Sequence, residues 1–391
     1  MKSILLKNVS AILPNEKREN ANILIESGVI TEISPNELKA DEVINFENNT
    51  LYSGFIDIHN HGAVGVDTNE ANLDEFVEVG KFLAKNGVTA WLPTFVPDSD
   101  ENYQRQIDIL EKLRQIQSDL PIAQVVGVHY EGVFANTQMC GALRPQYFKT
   151  FTRNELNELP TLKNAVHHTT YAPEIEGGIE LTKELTKRSW IPSIGHTKAD
   201  FQTLENAFSA GAKHITHLFN AMTGVHHRDL GVAGWALTKD EIFCEIIADC
   251  IHVHPKMLKF AAKNKPSDKL ILVSDSVSPT GLGDGNYEIW GEKVSVVQGK
   301  TQNERGSIAG SVITVLDAVK NMLKLGFSEV EVSKMASANP ASLLGIEKEF
   351  GSIEVGKRAD LVVLDEKNDV ILSLVNGRVA FSRDQKNTDK N

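Results

Sequence analysis

At 391 residues the chain has room for two or three domains, and 41% hydrophobic with 24% charged residues is an ordinary soluble, globular composition. A formal net charge of -12 disfavours nucleic acid as a partner, and an anionic substrate would need positive charge gathered locally. The three cysteines, Cys140, Cys244 and Cys250, are too few and too scattered for a disulfide framework or a zinc ribbon, and they fit a reducing compartment.

The N-terminal residues are broken by Lys7 and Asn8, so they lack the apolar stretch of a signal peptide. No later run approaches the roughly 20 apolar residues of a membrane span. A cytoplasmic protein without a membrane partner is expected. Residues 3–6, 21–26 and 29–33 read as short strands between the turn signals Pro14-Asn15 and Pro35-Asn36. The same texture returns after Gly351, in residues 359–364 and 370–374 with Asn376-Gly377 as a turn. Two β-rich ends around one long middle predict a small β-sandwich built from residues 1–53 and 351–391, flanking a central domain of residues 54–350.

That middle alternates strand and helix. Strand-like runs fall at 56–58, 88–92, 123–129, 165–171, 190–194, 214–218, 243–248 and 270–273. Helical periodicity fills 73–85, 102–117 and 201–210, and a further helix spans 311–325. Eight such units in one stretch predict an α/β fold, a (β/α)8 TIM-like barrel, over the runner-up, a doubly wound open sheet.

The strand ends carry the chemistry. The first run closes as Gly54-Phe55-Ile56-Asp57-Ile58-His59-Asn60-His61-Gly62, and a period of two points His59 and His61 to the same side. The third ends in His129-Tyr130-Glu131-Gly132, the fifth in Gly195-His196, the sixth in Thr216-His217 and the eighth in Ser274-Asp275. In a barrel these ends meet on one face, around one cavity. Imidazole nitrogen with carboxylate oxygen suits zinc or iron rather than calcium or magnesium. His167, His168, His226, His227 and His254 are given structural roles.

Longer motifs accompany these ends: Thr216-His217-Leu218-Phe219-Asn220-Ala221-Met222, His227-Arg228-Asp229 leading to Gly231-Val232-Ala233-Gly234, and Asp249-Cys250-Ile251-His252. Ile308-Ala309-Gly310-Ser311 and Asn339-Pro340-Ala341 follow. With them, nearly the whole chain resembles the amidohydrolase superfamily and, within it, the N-acetylglucosamine-6-phosphate deacetylase family. The resemblance implies that Glu131, His196 and His217 hold a principal divalent transition metal, with His59 and His61 able to bind a second ion. It also implies Asp275 as catalytic acid and base, and Asn220, the Ala221 backbone and Arg228 as a phosphate group. Ala142 and Ile308 would lie against the sugar, and His252 would cross a homodimer interface into the neighbouring site.

Two departures qualify the substrate. Gly132-Val133 stands where the family usually has Gly-Pro, and Leu143 where it commonly has a substrate-contacting His, with Arg144 as the neighbour able to compensate. Another N-acetyl amino-sugar phosphate such as N-acetylgalactosamine 6-phosphate, a cyclic amide, and a non-catalytic binding protein are the alternative readings. No Lys ends the fourth strand to serve as a bridging ligand, which counts against the cyclic amide.

Overall fold

The computed structural model describes residues 2–152 and 155–383; the predicted C-terminal segment thus extends, over 384–391, outside the described residues. All eight expected barrel strands are present, as Phe55–Asn60, Val88–Phe95, Gly127–Phe134, Val166–Tyr171, Ile191–Ile194, His214–Ile215, Phe243–Ile247 and Leu270–Val273. Each pairs in parallel with the next. The eighth meets the first where the Asp275 N–H donates to the His59 carbonyl at 2.9 Å and the His61 N–H to the Ser276 carbonyl at 2.8 Å. The ring closes at the two strand ends that carry His59, His61 and Asp275.

These strands form because both of their faces are covered. The first two are buried at every residue, as parallel strands in a helix-wrapped barrel must be. Ile56, Ile58, Ala90, Leu92, Ile247, Ile271 and Val273 cluster together, while Trp91, Phe95 and Tyr130 pack in the larger core with helix residues such as Phe76, Val79 and Leu83. Helix Leu73–Lys85 matches its expectation to the residue. Asn72 accepts from the Glu75 N–H while Glu75 reaches back to Asn72, a capping box, and the Phe76, Val79, Gly80, Leu83 spacing turns one stripe to the barrel.

The two termini build one mixed sheet of eight strands, from Ile4–Ile12 through to Arg378–Ser382, in which strand Leu361–Leu364 pairs with Thr50–Ser53. The sheet curls until Ile30 N–H reaches the Lys357 carbonyl at 2.9 Å, enclosing Leu6, Val9, Ile23, Leu361, Val363 and Leu372.

Of the boundaries that differ from expectation, three bear on the site. The third strand is interrupted after Gln124–Val125 and resumes at Gly127, so Glu131 lies within a strand that bulges between Glu131 and Phe134. The sixth stops at Ile215, because His217 has a positive φ of 29° and leaves the ladder. The last helix begins at Val315, capped by Thr314, and the chain before it forms an unexpected three-stranded sheet, Gly285–Ile289, Glu292–Val297 and Lys300–Asn303. That sheet presents Trp290 to the mouth of the barrel.

Candidate active site

The ends of five barrel strands bring six side chains together. His59 Nε2 lies 3.2 Å from His61 Nε2 and 3.3 Å from Asp275 Oδ1; His61 Nε2 is also 3.3 Å from that oxygen. Glu131 Oε1 lies 3.2 Å from His196 Nε2 and 3.1 Å from His217 Nε2, which are 3.0 Å apart. The same carboxylate reaches His59 Nε2 at 3.3 Å through Oε1 and His61 Nε2 at 3.2 Å through Oε2, so it bridges the two triads. All six residues are buried.

Three rings are aimed by a bond at the far nitrogen. His59 Nδ1 faces Glu245 Oε2 at 3.0 Å, His61 Nδ1 the Thr94 carbonyl at 3.1 Å and His196 Nδ1 the Met139 carbonyl at 2.8 Å. A proton on each Nδ1 leaves a lone pair on each Nε2, the tautomer a metal ligand needs. Backbone geometry helps. His196, His217 and Asp275 have φ of 48°, 29° and 50°, a left-handed region costly for such residues and concentrated at functional sites. Gly310, with φ of 60°, passes so close to the Asp275 carbonyl that a Cβ there would sit 2.8 Å from it.

The donor set fits a divalent cation. Four imidazole nitrogens and two carboxylates converge at separations of 3.0–3.3 Å, and facing lone pairs repel unless a positive charge lies between them. Electrostatics agree. Burial opposes charge on Glu131, yet His59, His196 and His217 hold its carboxyl well below the usual range. Burial likewise opposes charge on Asp275, which His59 and His61 nonetheless keep below its ordinary value. Burial pushes the His61 ring down, but its bonds to Asp275 and Glu131 outweigh that and raise it to about 9.

The last shift predicts a pH dependence for metal-free protein. His61 gains affinity for its proton on folding, so its contribution to stability is complete below the ordinary value of 6.5 and is lost as pH rises through about 9. Melting temperature of chelated protein should fall across that interval, and bound metal, which takes the proton's place, should flatten the profile. Equal profiles with and without metal would contradict the assignment.

The cluster floors a cavity of about 320 Å³. Ala142, Asn220, Ala221, His252 and Ile308 line it as expected, together with Leu143 and Trp290, whose ring meets His61 edge-on with centroids 5.2 Å apart. Two side chains are held by aspartates. His252 lines the cavity of its own chain, with Nδ1 2.6 Å from Asp249 Oδ2. Arg144 does not fill in beside Leu143, because its guanidinium donates to Asp98 Oδ2 at 2.7 Å and lies over the Tyr147 ring. Arg228 is exposed, beside His227 Nε2 at 2.7 Å, and is not among the residues lining the cavity. Val133 is buried, and Leu143 packs so near Gly132 that a Cβ there would meet its Cδ1.

Among the remaining histidines, His167 accepts from the Leu162 N–H at 2.9 Å and stacks on Trp190, while His254 caps helix Pro255–Asn264. Glu245 and Thr94 were not anticipated. A lone acid inside the apolar run Phe243–Ile247 was the available signal for Glu245; Trp290 had none, since its sheet is half-exposed.

A closed parallel barrel with nitrogen and oxygen donors converging at its C-terminal mouth defines a metal-dependent barrel hydrolase. The chain belongs to the amidohydrolase family, whose sequence model matches residues 50–389. It is 35% identical over 389 residues to the N-acetylglucosamine-6-phosphate deacetylase of Bacillus subtilis (strain 168), covering 97% of each chain. It is also 32% identical to the N-acetylgalactosamine-6-phosphate deacetylase of Escherichia coli O157:H7, covering 93% of this chain and 95% of that one. The crystal structure of N-acetylglucosamine-6-phosphate deacetylase from Pasteurella multocida superposes with a TM-score of 0.91 at 27% identity, over 96% of this chain and 99% of that one.

Proposed function

We propose that this protein hydrolyses the acetamide of N-acetylglucosamine 6-phosphate to glucosamine 6-phosphate and acetate. The reading is carried by the bridged donor cluster with Asp275 at the floor of a sugar-sized cavity, in a chain related throughout its length to deacetylases. Glu131, His196 and His217 would hold one zinc or iron ion, and His59, His61 and Asp275 a second. Such an ion lowers the pKa of water from about 15.7 to about 7 and polarises a carbonyl.

The chain's own side chains supply the rest. Asp275, held ionised by the two first-strand rings, takes the proton of the attacking water and returns it to the departing amine. The cavity wall of Ala142, Leu143, Trp290 and Ile308 excludes water from the acyl group, and Asn220, the Ala221 N–H and His252 face the sugar phosphate. Arg228, on a fully exposed segment that also bears Val225 and Leu230, is suited to reach the phosphate in a neighbouring subunit of a homodimer, with His252 acting within its own.

Leu143 favours a second reading, N-acetylgalactosamine 6-phosphate, because an apolar side chain cannot report on a sugar hydroxyl as a histidine does. A panel of both phosphorylated sugars and free N-acetylglucosamine separates the two. The expected order is N-acetylglucosamine 6-phosphate first and the free sugar lowest in kcat/KM. Arg228→Ala should cost about 10- to 100-fold on phosphorylated substrate, the worth of one charge-assisted bond, and little on the free sugar. Preference for the galactose epimer would install the second reading; equal rates with and without phosphate would remove the phosphate from both.

A further inference from the structure

Beneath the cluster lies a charge that the proposed reaction does not use. Glu245 sits in the middle of strand Phe243–Ile247 with no exposed surface, between Cys244 and Ile246, which are also fully buried. Its Oε2 faces His59 Nδ1 at 3.0 Å and accepts from the His217 backbone N–H at 3.2 Å. Its Oε1 has no hydrogen-bond partner among the described residues; His214 Nε2, also unpartnered, is 3.7 Å away. A buried carboxylate with one oxygen unsatisfied is costly, and a barrel core offers many apolar replacements.

The other metal-site rings are held differently. His61 and His196 are held through Nδ1 by neutral backbone carbonyls, and His217 Nδ1 has no partner among the described residues. Among the described residues, His59 is the one of these rings with a carboxylate behind it. A carboxylate fixes the Nδ1–H tautomer more firmly than a carbonyl does and makes the opposite nitrogen a stronger donor. The same oxygen also holds the backbone of His217, where the chain takes its strained φ of 29°. One carboxylate therefore touches a ligand of each triad, through the side chain of one and the main chain of the other.

We propose that Glu245 is a positioning residue that sets the donor strength of His59 and thereby fills the His59–His61–Asp275 site, while the Glu131–His196–His217 site depends on it only for the placement of His217. The assignment rests on the two-ion reading of the donor cluster. It predicts a selective effect. Removing the charge while keeping an acceptor should weaken the ion bound through His59 and spare the other, and removing the acceptor as well should weaken it further.

The test is a cobalt titration of metal-free wild type, Glu245→Gln and Glu245→Ala, followed by visible absorption and by metal content after gel filtration, with His59→Ala as the one-ion reference. Affinity for the weaker ion should fall by about 10- to 100-fold in Glu245→Gln, the usual consequence of losing such a partner. Glu245→Ala should fall further, toward the His59→Ala reference, with the tighter ion retained in every variant. Wild type binding two ions and Glu245→Gln binding both equally well overturns the assignment alone. Both ions weakening together in Glu245→Gln, with a lowered melting temperature, marks a merely structural carboxylate and overturns it too. Uptake of a single ion by wild type overturns the two-ion reading and this assignment with it.

Discussion

Asp275→Asn is expected to lower kcat by about 10²- to 10⁴-fold, the range over which a positioned general base acts, while the Glu131–His196–His217 ion stays bound. The substitution is nearly isosteric, and the Asp275 N–H bond to the His59 carbonyl at 2.9 Å is made by the main chain, so the barrel seam survives it. What is lost is the proton acceptor. Asp275 Oδ1 stands 3.3 Å from both His59 Nε2 and His61 Nε2, and those rings hold it ionised despite burial. An amide in that place neither takes a proton from water nor returns one to an amine. Because the loss falls on the chemical step, kcat and kcat/KM should drop together with little change in KM. Metal analysis beside steady-state kinetics checks both halves of the claim. A variant with near-normal kcat and full metal content would show that the proton passes elsewhere.

The framework was legible in the sequence for a physical reason. A strand buried on both faces is mostly an apolar run, and a barrel strand that ends at a working site breaks that run with a polar residue. Ile56-Asp57-Ile58-His59 and Leu270 to Asp275 carry both signals, so strand and ligand were read from the same residues. The failures follow from the same logic. The three-stranded sheet around Trp290 is half-exposed, with Gly285, Asn286 and Glu288 open to solvent, so its pattern resembles a loop. Arg144 stands beside Leu143 in sequence, but its partner Asp98 is 46 residues away, and no local pattern reports such a pairing. For His252 a motif names the residue without its direction, which the Asp249 carboxylate three residues earlier sets by meeting Nδ1 at 2.6 Å. Glu245 was readable as an anomaly in an apolar strand, but its role needed the position of His59, 186 residues earlier.

Removal of the metal should have the largest effect of all. Chelated protein is expected to lose roughly four orders of magnitude of activity or more, since a bound cation supplies several kcal/mol of charge stabilisation and each 1.36 kcal/mol is tenfold in rate. The cavity lining offers imidazoles and carboxylates but no lysine or arginine among the described residues, and the proton that His61 holds without metal is already paired with Asp275 and Glu131, so it draws far less charge from an acetamide carbonyl than a divalent ion would. His196→Ala and His217→Ala should reproduce the loss, because each leaves Glu131 with one fewer partner at 3.1–3.2 Å and the site with two strong donors where tetrahedral coordination uses three from the protein. Added zinc or iron should restore the chelated wild type and fail to restore either variant. His59→Ala distinguishes the two triads, since it leaves Glu131, His196 and His217 intact and should keep one ion together with part of the rate. Full turnover after chelation, with metal confirmed absent, would end the hydrolytic reading of the cluster. Full turnover of His217→Ala with metal still bound would instead move the principal ion to the first-strand pair, where Glu131 can still reach it through Oε2.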